Sequence, residues 1–278
     1  MSQIWTGILD QVHAFHQKVA EDGVTAWFRG QRSATWPLRS RLHRYVLDCV
    51  RETGQKVEGS LLRTLIREEY KSLYRRFTAD AWAILEPHQR GDWALLFAMQ
   101  HQGLPTRLLD WTESFACALY FAQQERRPHE DAALFLANPD AVNQVSTGES
   151  GLIRLEEDLG VQARVPTHLW HPKIVPPDHD LPTIAVSPVL INRRMLAQRA
   201  AFMVCGDSLD PIEDTFPTAI TKIVLPASTF EDAQRFLALA GIDPFAYFPD
   251  LEGIAMKFRQ YEGETRTKLR VRFGGKAG

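Results

Sequence analysis

Apolar positions at the start of the chain fall at steps of three or four. Ile4, Ile8, Val12, Phe15 and Val19 are separated by charged or polar residues, which predicts an amphipathic helix ending near Gly23. Thr25-Ala26-Trp27-Phe28 is rich in β-formers and predicts a strand ending at Arg29, where Gly30 lets the backbone turn or approach another group closely. Ser60 is placed to cap a helix whose apolar face is Leu62, Leu65, Ile66, Leu73 and Phe77, and residues 92–100 predict another. Gly103 and Pro105 stop that helix, so 103–112 reads as a loop leading into a short buried strand, followed by a helix over 114–124. The apolar run 132–137, closed by Asn-Pro, predicts a buried strand, and 200–205 and 219–225 predict two more. Between 140 and 190, Pro166, Pro172, Pro176, Pro177, Pro182 and Pro188 predict short strands and irregular loops. A helix over 230–240 stops at Gly241, and the basic, Gly-rich tail from Lys268 reads as frayed. Helices and strands mix without a regular βαβ rhythm, so the expected class is α+β.

Composition narrows the field. With 278 residues and 45% hydrophobic content the chain fills a proper core, which excludes disorder as its main state. Thirty-two basic and 34 acidic residues leave a formal charge of −2, so a nucleic-acid partner would need a local patch. Cys49, Cys117 and Cys205 are odd in number and far apart, which fits neither a disulfide framework nor a CxxC metal site and points to a reducing compartment. The N-terminus shows no basic segment followed by an apolar run, and no stretch approaches the ~18 apolar residues of a membrane span. A soluble, unprocessed cytoplasmic protein without membrane contact is expected.

Two segments concentrate chemistry. In Phe28-Arg29-Gly30-Gln31 a guanidinium at a strand end sits beside a bare backbone, suited to a fork-shaped contact with a phosphate or carboxylate; an internal Arg–Asp salt bridge beside a turn glycine is the alternative. His101-Gln102-Gly103-Leu104-Pro105-Thr106-Arg107-Leu108-Leu109-Asp110-Trp111-Thr112 combines an imidazole, a cation, a carboxylate, hydroxyls and a large aromatic. Such groups beside a buried strand pair with each other, Arg107 with Asp110 for instance, or with a ligand. Arg39, Arg41, His43 and Arg44, with Trp36 and Tyr45 nearby, read as a solvated loop or as a patch receiving a phosphorylated or nucleic-acid substrate. His13-x-x-His16 and His168-x-x-His171 lack a third ligand nearby, so no metal is expected. Dinucleotide GxGxxG, Walker and GxSxG motifs are missing.

FRGQ at 28–31, HQGLPTRLLDWT at 101–112 with ALYFA at 118–122, RMLAQRAAF at 194–202 and GIDPFAYFPDLEGIA at 241–255 resemble the successive signatures of the FRG domain family. The resemblance divides the chain into an N-terminal helix (1–24), an FRG-like domain (25–260) and a C-terminal extension (261–278). It departs from the family where a glycine is common between Gln198 and Phe202, since Arg199, Ala200 and Ala201 stand there.

The order of these signatures is more remotely similar to ADP-ribosyltransferases, which split NAD. That similarity implies two small, mostly antiparallel sheets with flanking helices. It implies that Arg29 contacts an NAD phosphate or ribose, that the Gly30 backbone holds the nicotinamide amide, and that Thr112 supports the nicotinamide ribose, with His101 in the same wall. Gln198 stands where a catalytic glutamate is usual, so the carboxylate that stabilises the ribosyl cation could instead come from Asp110 or Glu113. The implied function is transfer of ADP-ribose from NAD to a protein or nucleic acid, as in a toxin or a phage-defence effector. A non-catalytic nucleotide- or nucleic-acid-binding module is the alternative, and a purely structural interaction domain is a third reading.

Overall fold

The computed structural model describes residues 2–155, 165–174, 180–188 and 192–273. Seven strands, β1 (Trp27–Gln31), β2 (Leu108–Thr112), β3 (Ala132–Ala137), β4 (Ile153–Arg154), β5 (Ile184–Ser187), β6 (Ala200–Val204) and β7 (Ile220–Leu225), form one sheet in the order β4-β5-β6-β2-β1-β3-β7. Only β4 and β5 run parallel. The α+β class is as expected, but the two small sheets are corrected to one mixed sheet. The link is narrow: β1 and β2 are in register at Phe28 and Thr112 alone, whereas each pairs with its other neighbour over five positions.

The helices are α1 (Gln3–Glu21), α2 (Arg41–Glu52), α3 (Gly59–Ala81), α4 (Asp92–His101), α5 (Phe115–Gln123), α6 (Pro139–Thr147), α7 (Arg193–Ala197), α8 (Ile212–Thr215), α9 (Phe230–Leu239), α10 (Pro244–Tyr247) and α11 (Leu251–Phe273). One sheet face carries two helical layers side by side. Over β1, β3 and β7, residues from α1, α5 and α9 pack on Phe28, Leu134, Leu136 and Ile223. Over β2, β5 and β6, residues from α2, α3 and α4 pack on Leu108, Val186, Phe202 and Val204. The opposite face, with Trp27, Leu109, Trp111, Phe135 and Met203, is covered by Leu38, Val142, Ile212 and Phe216. Alternation of side chains along each strand produces these separate clusters.

Four local expectations change. The basic run expected as a loop is the start of α2, with Ser40 as its cap: its Oγ accepts the His43 N–H at 3.3 Å, and Leu42, His43 and Val46 are buried. The proline-rich stretch contains α6, where Asn138 caps the Ala141 N–H and Pro139 occupies the first turn, a position in which its missing N–H costs nothing. Glu58, not Ser60, is the cap residue of α3. The tail from Lys268 continues α11 as far as Phe273. Pro176 and Pro177 lie outside the described residues.

Candidate ligand cavity

Beyond the Phe28–Thr112 pair the two strands part, and a cavity of about 1040 Å³ opens over the gap. Its floor includes Arg29, Gly30, Asp110, Trp111 and Thr112; α4 contributes Phe97, Gln100 and His101, and α5 contributes Ala118 and Phe121. The remaining walls come from residues 31–39, from α2, from Gln124 and Glu125 and from the segment around α7, with Phe248 on one side. Arg29 spans the gap: its Nη1 donates to the Asp110 carbonyl at 2.5 Å and lies 3.9 Å from the Asp110 carboxylate. The guanidinium thus stands where the strand ladder has given out.

Of the residues singled out in the sequence, Arg29, Gly30, His101, Asp110, Thr112 and Gln198 line this cavity together. Glu113 does not; its carboxylate pairs with Arg199 at 3.2 Å. Arg107 is corrected as well, because it does not pair with Asp110. It is fully buried and donates to Asp207 at 2.8 Å, beside Arg67 on the same carboxylate. Asp110 is the exposed position of β2 and accepts from Gln100 Nε2 at 2.7 Å, while Gln100 Oε1 accepts from Thr106 at 2.5 Å.

The local roles differ from what motifs convey. A Cβ on Gly30 would lie 1.9 Å from the Ala118 carbonyl oxygen, so this glycine permits α5 to lie against β1. The Thr112 hydroxyl donates to the Gln198 carbonyl at 2.6 Å and accepts the Ser114 N–H at 3.0 Å. Gln198 Nε2 donates to the Tyr247 carbonyl at 3.1 Å. Arg199 takes φ 47° just after α7, a left-handed conformation in which glycine is the least strained residue. His13 and His16 are exposed on α1, and His171 packs edge-on against Tyr74 and Trp93. Among the described residues no group of three or more His, Cys, Asp or Glu could hold a metal.

The cavity's lining mixes apolar and aromatic side chains with charged ones. Of its six arginines, Arg29 lies by Asp110, Arg32 pairs with Glu125, Arg51 with Asp48 and Arg194 with Asp250 and Glu252, which leaves Arg39 and Arg44 without an ion-pair partner among the described residues. Burial lowers the pKa of Arg29 against the opposing pull of Asp110, and burial together with Arg41 lowers that of Arg44. Partial burial and the Arg194 charge hold His101 below the usual histidine value, favouring its neutral form. Trp36, with the Arg32 guanidinium 5.1 Å from its ring centre, and Phe248, with Arg194 at 4.6 Å, add aromatic surface. Arg32 and Arg51 escaped the sequence reading because isolated arginines on separate elements carry no local pattern, while Arg194 opens the RMLAQRAAF segment but was given no role there.

Residues 24–131 match the family model of the FRG domain, so this part of the chain carries an FRG domain. It contains FRGQ and HQGLPTRLLDWT, and with them Arg29, Gly30, His101, Asp110, Thr112 and Glu113, whereas Gln198 lies beyond it. Neither curated proteins nor solved structures give a match to the chain. Among the described residues no helix is long and apolar enough to cross a membrane.

Proposed function

We propose that the cavity binds a pyrophosphate-bearing nucleotide, NAD in the first place, and that the chain uses it as an ADP-ribosyltransferase-like enzyme on a macromolecular acceptor. The observation that carries the reading is that Arg39 and Arg44, two guanidinium groups without an ion-pair partner among the described residues, line one cavity of about 1040 Å³ beside Arg29. Ligand pockets span roughly 300–1,000 Å³, so this one is large enough for a dinucleotide. Guanidinium groups suit phosphate oxygens through paired, charge-assisted hydrogen bonds. The aromatic rings suit stacked bases.

In transfer, the bond between ribose C1′ and the nicotinamide nitrogen breaks, and its electron pair leaves with neutral nicotinamide. Positive charge develops on the ribose, and a carboxylate next to it lowers the barrier. Asp110 is the better placed group, since it lines the cavity while Glu113 is paired with Arg199 outside it. An acceptor lone pair then bonds to C1′ and its proton passes to Asp110 or water. Gln198, tied to the Tyr247 carbonyl, orients the ligand.

A binding module without turnover is the second reading, favoured by the amide of Gln198 in place of a second carboxylate. Calorimetry with NAD, paired with a nicotinamide-release assay on the wild type and Asp110→Asn, separates the two. The enzyme reading expects release that falls about 10²- to 10³-fold in the variant with NAD affinity nearly kept. NAD binding with no release leaves the module, and no binding at millimolar NAD overturns both readings.

A further inference from the structure

Behind the wall formed by Arg29, Arg44, Gln100 and Asp110 lies a smaller cavity of about 180 Å³. These four residues line both cavities, whereas Arg41 and Gly103 line the small one and not the large one. Three guanidinium groups therefore meet there with a single carboxylate.

The arrangement opposes ordinary electrostatics twice. Arg41 and Arg44 stand three residues apart at the start of α2, so like charges share one helix face, and they do so at the positive end of the helix dipole. Neither has an ion-pair partner among the described residues. The Asp110 carboxylate is already engaged by Gln100, and the buried Nε of Arg29 has no hydrogen-bond partner. Gly103, at φ 72°, borders the cluster, and Arg41 Nη1 lies 2.9 Å from where its Cβ would be.

We infer that the small cavity is a subsite for a terminal phosphate group, free or esterified, held by Arg29, Arg41 and Arg44. A compact dianion relieves the mutual repulsion of the three cations and accepts from several forks at once, which a carboxylate, with one charge and two oxygens, does less well. The phosphate is either free or carried by the nucleotide of the main cavity. Only the second source rests on the function proposed above.

Calorimetry at neutral pH with inorganic phosphate tests the subsite in the wild type, Arg41→Gln and Arg41→Lys. Arg41 is exposed, and a thermal melt checks that the variants fold. Phosphate affinity is expected to fall about 10- to 100-fold in Arg41→Gln and less in Arg41→Lys. NAD affinity changes less than phosphate affinity in both variants, because Arg41 does not line the main cavity and reaches it only through its charge on Arg44. If the nucleotide carries the phosphate, NADP binds the wild type more tightly than NAD and Arg41→Gln erases the difference; equal affinities with phosphate still bound assign the subsite to free phosphate. No phosphate binding by the wild type, equal binding by Arg41→Gln, or acetate binding as tight as phosphate overturns the subsite. Failure of NAD to bind overturns the nucleotide reading and leaves the phosphate titration standing.

Discussion

The Thr112 hydroxyl donates to the carbonyl of Gln198 at 2.6 Å, joining the end of β2 to the end of α7 across 86 residues of sequence. Through the Gln198 side chain the link continues to the Tyr247 carbonyl, so three conspicuous sequence segments meet at one hydroxyl and one amide. Thr112→Val removes the donor and leaves both the Gln198 carbonyl and the Ser114 N–H without their partner. The expected loss is about 1–3 kcal/mol by urea unfolding, with Thr112→Ser close to the wild type. A valine variant as stable as the parent would show that the hydroxyl does not make this link.

Gly30 separates packing from ligand contact. Its Cβ position is occupied by the Ala118 carbonyl and lies 2.7 Å from the Ala122 backbone nitrogen. Because both are main-chain atoms inside a helix, neither can swing aside. Gly30→Ala is expected to destabilise the fold by about 1–3 kcal/mol or more, read from the denaturation midpoint. Unchanged stability with lost NAD binding would return this glycine to a ligand role.

Asp207 accepts from Arg67, from Arg107 and from the Leu181 N–H, all in the interior. Burial alone would raise its pKa, but the Arg67 hydrogen bond and the Arg107 charge outweigh that and hold it below the usual carboxylate value. With the folded value depressed, its stabilisation is complete above about pH 4, the unfolded value, and is lost as pH falls through the folded one. Asp207→Asn leaves two buried guanidinium groups without their counter-charge and is expected to cost about 3–5 kcal/mol in unfolding free energy at neutral pH.

His43 gives a second pH window. Burial pushes its pKa down to about 3, helped by the Arg107 charge. The unfolded imidazole takes its proton near pH ~6.5 while the folded one stays neutral, so stability falls as pH drops from about 6.5 towards 3 and is unaffected above that range. Melting temperatures recorded between about pH 5 and 7, above the carboxylate range, are expected to show this slope in the wild type and a flatter one in His43→Gln. An identical slope in both would locate the titrating group elsewhere.

What the sequence determined by itself was local. The 3- and 4-residue spacing of Ile8, Val12, Phe15 and Val19 marked α1, the unbroken apolar run marked β3 at its observed bounds, and FRGQ and HQGLPTRLLDWT marked two chain segments that line one cavity. Each of these depends on neighbours a few residues away, where backbone geometry maps periodicity onto a face. The tertiary structure alone decided the rest. That β1 and β2 join at one residue pair, that Arg107 turns to Asp207 and Arg29 to Asp110, and that Arg32, Arg51 and Arg194 gather around the same cavity are contacts between distant segments. A guanidinium has the same local signature whether it meets a buried carboxylate, a backbone carbonyl or open solvent. Which one it meets depends on how the strands pair and where the helices pack, and that is settled only when the whole sheet closes.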